Sequence, residues 1–162
     1  MLLRIFILFC MWGMAAQAED LPFVQVKEVI NLQQDAALAQ QTNRPILIMF
    51  SVEGCPYCEF VREEHLKPML RNAEYKRQVI IRELHTDVTD SVIDFNGQRI
   101  DVEKLADRYK VHLNPTVVFL GGQGRELSKR LVGVSSVDFY GGFMDKAIEE
   151  SNQRLRAIAS SE

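Results

Sequence analysis

The feature that most constrains this chain is an apolar strand followed closely by two cysteines. Residues 46–50 (Ile-Leu-Ile-Met-Phe) are all apolar, which is typical of a strand buried on both faces within a parallel or mixed sheet. A short loop then leads to Cys55-Pro56-Tyr57-Cys58. Pro56 is favoured at the first position of a helix, because its missing N–H would have no partner there. The pattern predicts a strand, a loop, a cysteine pair and a helix, in that order.

This placement gives the two cysteines distinct chemical roles. Cys55 lies just before the first turn of the predicted helix, where unpaired N–H groups and the helix dipole favour an anion. A thiolate is the reactive form of cysteine, so Cys55 is the predicted nucleophile. Cys58 follows one helical turn later and is close enough to attack Cys55 and release a bound client. We therefore predict Cys55 and Cys58 as the catalytic residues.

The remaining periodicities predict an α/β fold. Helices are predicted at 26–41, 56–67 (with Pro68 interrupting or ending it), 69–76, 102–109 (with Asp101 as N-cap) and from 135 onward. Strands are predicted at 78–84, 115–120 and 126–132, with a two-residue hairpin turn at Asn96-Gly97. Helices between strands imply parallel crossovers, and the short final link implies an antiparallel pair. The predicted architecture is a mixed central sheet with helices on both faces.

The N-terminal residues have the features of an export signal. Arg4 precedes an apolar run at 5–14, and Ala16-Gln17-Ala18 has the small-x-small form of a cleavage site. The run is shorter than the roughly 20 residues that a spanning helix needs, although an uncleaved anchor is the alternative. We expect residues 1–18 to be a cleaved signal peptide and residues 19–162 to form one domain. For a bacterial protein this predicts a periplasmic location without stable membrane insertion.

The cysteine count supports a redox role for the pair. Cys10 lies inside the predicted signal, so the mature chain keeps only Cys55 and Cys58. A structural disulfide stabilises more when it closes a long loop, and this loop is nearly the shortest possible. In an oxidising compartment, such a pair is better suited to reversible oxidation and reduction than to stabilising the fold.

Other ligands and partners are not favoured by the composition. Structural zinc usually takes four ligands, and the three histidines, His65, His85 and His112, are scattered along the sequence. We interpret each as a surface or loop residue and expect no metal and no other cofactor. The net charge is −3, which gives no basic field for nucleic acid or anionic lipid. The expected partner is therefore another protein, and the chain is expected to be a monomer.

Three segments together resemble the thioredoxin superfamily, in particular its exported, thioredoxin-related members of the SoxW type. They are residues 50–58, Asn114-Pro115-Thr116 and Gly133, and the resemblance extends over about residues 25–148. It implies a thioredoxin fold and a cis peptide bond before Pro115, which places this loop against the active disulfide. The loop backbone would then pair with an extended client segment. The residues implied in substrate binding are Pro56, Tyr57, Asn114, Pro115 and Thr116.

The chain departs from the thioredoxin pattern at several positions. Met49 occupies the strand position, six before the first cysteine, where cytoplasmic thioredoxin has a buried acid. The proton acceptor of the second cysteine is therefore missing, and Glu53 is either a partial replacement or an exposed loop carboxylate. The residue directly before Cys55 is Gly54 and not tryptophan, the only tryptophan being Trp12, and Asn114 stands where related enzymes often have Thr, Val or Ile.

Three functions are compatible with these features. The first is a periplasmic reductase of client disulfides, which by the resemblance receives electrons from a membrane thiol carrier of the DsbD or CcdA type. The second is a disulfide oxidant or isomerase on the same fold. The third is a non-enzymatic module in which the two cysteines hold a client or a soft ion such as Cu(I).

Overall fold

The computed structural model describes residues 22–161 and confirms the α/β thioredoxin fold. Its central sheet has four strands in the order β2-β1-β5-β6. The strands are β1 Ile46–Ser51, β2 Ile80–His85, β3 Ser91–Ile93, β4 Arg99–Asp101, β5 Thr116–Leu120 and β6 Leu131–Val132. The α-helices are α1 Leu32–Thr42, α2 Pro56–Val61, α3 Lys67–Arg71, α4 Ala73–Gln78, α5 Val102–Arg108 and α6 Tyr140–Ala159. The predicted signal peptide, residues 1–18, lies outside the described residues.

The sheet is mixed, and β1 lies near its centre. β1 runs parallel to β2, with Met49 opposite Glu83, and antiparallel to β5, with Phe50 opposite Thr116. All six residues of β1 are buried, as its uninterrupted apolar sequence predicts. The loop that carries the cysteines therefore leaves the sheet at the same edge where β5 begins.

Helices cover both faces of the sheet, because alternate residues of each strand point to opposite sides. Ile46, Ile48 and Phe50 pack in one core cluster with residues of α1 and α5. Leu47 and Met49 pack in a second cluster with residues of α2, α3 and α6. The helix that begins at the cysteine pair thus lies on the Met49 face of the sheet.

The first helix begins later than its periodicity predicts. Residues 26–30 are extended and lie beside β2, where the Val29 N–H donates to the Glu83 carbonyl at 2.8 Å. Asn31 then caps α1 by accepting a hydrogen bond from the Gln34 N–H at 3.0 Å. The prediction of a helix at 26–41 is therefore wrong at its start, because this segment satisfies its backbone through β2.

Of the two outcomes predicted at Pro68, the helical segment after the cysteines is interrupted rather than ended. A π-helical turn, Arg62–Leu66, joins α2 to α3, and Pro68 lies within the first turn of α3. Proline lacks the N–H that would donate to the carbonyl four residues earlier. The wider turn pairs the Lys67 N–H with the Arg62 carbonyl, and the chain breaks only at Asn72, which caps α4.

The hairpin and the last strand also differ in detail from the sequence prediction. In the hairpin the Asp94 N–H donates to the Gln98 carbonyl, so three residues rather than two form the turn, with Gly97 at a φ of 81°. β6 is shorter than the predicted 126–132, and an isolated bridge at Glu126 is its only earlier pairing in the described chain. The intervening segment instead bonds to α6, where Ser151 donates to the Ser128 hydroxyl.

A glycine in the turn before β6 gives a test of this packing. Gly124 has a φ of 73°, and an added Cβ would lie 2.8 Å from the Phe95 ring. We expect Gly124→Ala to lower the free energy of unfolding by about 1–3 kcal/mol, measured by urea denaturation. Gly142→Ala is the matched control, because a Cβ there meets nothing within 4 Å in a helix. Equal stability of the two variants would contradict this account.

No helix among residues 22–161 combines the length and the apolarity that a bilayer crossing requires.

Candidate active site

The two cysteines form a disulfide at the N-terminus of α2. Cys55 is the N-cap residue, and its Sγ accepts a hydrogen bond from the Cys58 N–H at 3.1 Å. Pro56 occupies the first helical turn, as its chemistry predicts. A negative charge on the Cys55 sulfur would therefore face the Cys58 N–H and the positive end of the helix dipole.

The two sulfur-bearing residues differ in access to solvent. Cys55 is partly exposed, whereas Cys58, in the first turn of α2, is fully buried. An incoming disulfide can reach only the first cysteine directly. This asymmetry is the one that a nucleophile and a resolving thiol require.

The loop before β5 lies at the same edge of the sheet as the redox pair. The Asn114–Pro115 peptide bond is cis, as the family resemblance implies. Thr116 pairs with Phe50 at the end of β1, so Pro115 lies next to the start of the cysteine loop. The Pro115 carbonyl accepts a hydrogen bond from the Gly133 N–H at 2.8 Å, which ties the loop to β6.

Two side chains of this loop, Thr116 and Asn114, differ in their hydrogen bonding. Thr116 is fully buried, and its hydroxyl donates to the Leu113 carbonyl at 2.6 Å, so this side chain holds the loop together. The Oδ1 atom of Asn114 is buried without a hydrogen-bond partner. A buried amide oxygen without a donor is uncommon in folded proteins.

Apolar side chains are exposed around this edge. Tyr57 exposes 58% of its surface, Leu113 55% and Val132 51%. Tyr57 lies in the first turn of α2, and Leu113 and Val132 flank the cis-proline loop. Together with the partly exposed Cys55 they form a surface suited to an apolar protein segment.

A buried carboxylate lies beside the redox helix, on the strand next to the Met49 position. Glu83 is only 3% exposed and accepts hydrogen bonds from Arg62 Nε at 2.8 Å and Arg62 Nη2 at 2.6 Å. The Ser51 hydroxyl donates to the same carboxylate at 2.7 Å. The hydrogen bonding that Arg62 donates to Glu83 is the largest cause that raises the pKa of the Arg62 guanidinium above its ordinary value. The buried acid of this site therefore belongs to β2 and is paired with a permanent cation.

His85 extends this cluster towards the cysteines. Its Nδ1 lies 3.3 Å from the Ser51 hydroxyl, and its Nε2 lies 3.4 Å from Glu83 Oε1. Together with Cys55 and Arg62, His85 lines an open cavity of about 400 Å³. The interpretation of His85 as a surface or loop residue is therefore wrong, because it ends a strand and is mostly buried.

The other two histidines lie elsewhere. His65, on the π-helical turn, packs edge-on against Phe60 and at a tilt against Tyr140, at ring-centroid distances of 5.2 Å each. Burial lowers the pKa of His65. His65 is thus also a packed residue rather than a surface one, whereas His112 is exposed in a loop, as predicted. Within residues 22–161, no group of three or more His, Cys, Asp or Glu side chains is arranged to hold a metal ion.

Sequence reasoning missed the cluster of Ser51, Arg62, Glu83 and His85. A signal was present, since Arg82 and Glu83 are two charged residues within the strand, between the apolar run 79–81 and Leu84. Glu53, considered as the substitute acid, is exposed, and its backbone N–H donates to Asp87 at 2.8 Å. The partner that makes burial of Glu83 tolerable is 21 residues away in sequence, so its position depends on the fold.

A disulfide at the start of a helix, beside a cis-proline loop and on this mixed sheet, defines a thiol–disulfide oxidoreductase of the thioredoxin fold. The chain belongs to the thioredoxin-like family: residues 32–148 match the model of the thioredoxin-like domain.

Two curated relatives are the same protein from two strains of one bacterial species. The chain is 32% identical over 120 residues to the thiol:disulfide interchange protein DsbD of Vibrio vulnificus strain YJ016, which covers 73% of this chain. The corresponding protein of strain CMCP6 is also 32% identical, over 119 residues. The chain spans only 18% of the length of each relative.

Solved thioredoxins share the fold at low sequence identity. Thioredoxin of Fasciola hepatica matches with a TM-score of 0.53 and 17% identity, covering 78% of this chain and 99% of its own. Thioredoxin NaTrxh of Nicotiana alata matches with a TM-score of 0.51 and 21% identity, covering 78% of this chain and 97% of its own. These similarities establish the arrangement of helices and strands.

Proposed function

We propose that this protein is a periplasmic reductase of protein disulfides. The observation that carries the proposal is the Cys55–Cys58 disulfide at the N-terminus of α2, with a backbone N–H 3.1 Å from the Cys55 sulfur. Thiol–disulfide exchange is supported by the similarity to relatives named for thiol:disulfide interchange. Electrons would come from a membrane thiol carrier of the DsbD or CcdA type and pass to a client protein.

The proposed reaction uses the two cysteines in sequence. The Cys55 thiolate attacks a client disulfide, forming a mixed disulfide and releasing one client sulfur. Cys58 then attacks the Cys55 sulfur, so the mixed bond breaks and the client leaves as a dithiol. The membrane carrier reduces the resulting Cys55–Cys58 disulfide and restores the starting state.

The client would bind across the edge that Pro56, Tyr57, Asn114, Pro115 and Thr116 share. Tyr57 supplies exposed apolar surface, and Asn114 is partly exposed beside the cis-proline. Pro115 and Thr116 are buried and hold the loop in its conformation, Thr116 through its hydrogen bond to the Leu113 carbonyl.

The location and state of the protein are further parts of the proposal. We infer that residues 1–18 are removed on export and that residues 19–162 act in the periplasm as a monomer of the SoxW type. The apolar run and the small residues before position 19 support export.

The reduction potential of the Cys55–Cys58 pair tests the direction of electron flow. Residues 19–162 would be equilibrated in graded glutathione and dithiothreitol buffers, and the fraction of free thiol measured by alkylation. We expect a value near that of thioredoxin, roughly −270 mV. A value near that of DsbA, roughly −120 mV, would make the protein an oxidant and overturn the proposed direction.

A further inference from the structure

We propose that His85 is the acid–base residue of the redox pair, exchanging a proton with the Cys55 thiol across the cavity that both residues line. Ser51 and Glu83 act as positioning residues for its ring. The inference rests on the proposed thiol–disulfide exchange and deepens it, since it assigns a residue to the deprotonation of the nucleophilic Cys55.

The hydrogen bonds around His85 define which nitrogen is available. Ser51 donates its hydroxyl hydrogen to Glu83 at 2.7 Å, so its oxygen faces His85 Nδ1 at 3.3 Å as an acceptor. This arrangement assigns the Nδ1 position as the N–H of the neutral ring. Nε2 is then the nitrogen that gains and loses a proton, with Glu83 Oε1 at 3.4 Å and Glu28 Oε1 at 3.7 Å.

Glu83 itself is poorly suited to accept a proton. Its two oxygens already accept two hydrogen bonds from Arg62 and one from Ser51. These three bonds hold the carboxylate in place, so Glu83 orients Ser51 and, through it, His85.

The charges around the cavity also favour a role for His85. Arg62 is already paired with Glu83 and with Glu59, at 2.6 and 2.7 Å, so its charge is largely balanced. The charged or titratable groups facing His85 and the cavity are Glu28 on the N-terminal segment, Glu53 and Cys55 on the redox loop, Glu59 and Arg62 on the helical segment and Glu83 on β2. Because most of the charged groups around the cavity are carboxylates, a protonated His85 would supply the positive charge near the Cys55 thiolate as it forms.

The proposed proton transfer balances within one exchange step. The Cys55 thiol gives its proton through cavity water to His85 Nε2, and the thiolate attacks one sulfur of the client disulfide. The client S–S bond breaks as the Cys55–client bond forms, and the second client sulfur leaves with the electron pair. That sulfur takes the proton from His85, so the histidine returns to its neutral form.

The test follows the reactivity of Cys55 with iodoacetamide in the reduced protein, residues 19–162, from about pH 4 to pH 9. We expect His85→Gln to slow alkylation of Cys55 near neutral pH by about 3- to 10-fold and to remove one step of the pH profile. His112→Gln, an exposed histidine outside the cavity, is the matched control and should follow the wild type. Identical profiles for His85→Gln and wild type would overturn the proposal.

A measurement on the unmodified chain covers the case in which His85→Gln does not fold. The ring signals of His85 would be titrated by NMR in the oxidised and reduced protein. We expect the midpoint of the His85 titration to differ between the two states, because only the reduced state offers a thiol for proton exchange. A midpoint that is the same in both states would overturn the proposal.

The two proposals fail in different ways. If the wild type reduces insulin disulfides and neither His85 measurement responds, the acid–base role is wrong and the reductase function stands. If the wild type exchanges no disulfide with dithiothreitol, glutathione or insulin, the proposed function itself is wrong.

Discussion

Replacing Cys55 with serine is expected to abolish thiol–disulfide exchange, reducing insulin reduction to the background rate of the assay. The buried Cys58 remains in this variant, but it is fully shielded from solvent and has no access to a client disulfide. A serine hydroxyl at Cys55 ionises far too weakly to replace the thiolate. The measurement is the rate of insulin reduction with dithiothreitol as electron donor.

Cys58→Ser is the matched variant and should behave differently. Its Cys55 still attacks a client, but no resolving thiol is present to release it. We expect covalent complexes to accumulate that run at higher mass on a non-reducing gel and disappear on reduction. If Cys55→Ser trapped clients instead, the order of attack would be the reverse of the one proposed here.

Arg62→Met is expected to lower the free energy of unfolding by about 3–5 kcal/mol, measured by urea denaturation at pH 7. The substitution removes both guanidinium hydrogen bonds to Glu83 and leaves a carboxylate that is only 3% exposed without its cation. An unpaired buried charge costs far more than the net contribution of the intact pair.

Two comparison variants make this prediction specific. Lys104→Met breaks an ion pair with Asp101 whose side chains are 74% and 59% exposed, and it should leave stability close to that of the wild type. The double variant Arg62→Met with Glu83→Leu should recover most of the loss, because it removes the unpaired charge as well. Equal stability of Arg62→Met and Lys104→Met would show that Glu83 is not a buried charge in solution.

The cluster of Ser51, Arg62, Glu83 and His85 bears on the absence of an acidic residue at position 49. Met49 and Glu83 are direct neighbours in the parallel pairing of β1 and β2. The carboxylate that thioredoxin carries on the first of these strands is thus found here on the adjacent one, with Arg62 as its partner. The site keeps a buried acid, which is paired with Arg62, and the proton transfer proposed for His85 concerns Cys55.

Much of the fold was predictable from local patterns. The uninterrupted apolar run at 46–50 predicts a central strand, and Pro56 after Cys55 predicts the start of a helix at the redox pair. Both features depend on residues close in sequence, whose preferences act within a single element. The boundaries were less predictable, since residues 26–30 have helical periodicity but bond to the edge of β2.

The sequence by itself determined the class of chemistry, because two cysteines one helical turn apart at a helix start have few other uses. Only the tertiary structure decided which groups surround them. Arg62 and Glu83 meet across 21 residues of chain, and Ser51 and His85 meet across 34, through the pairing of β1 with β2. Burial and charge pairing depend on such distant contacts, so residue type and spacing alone do not specify them.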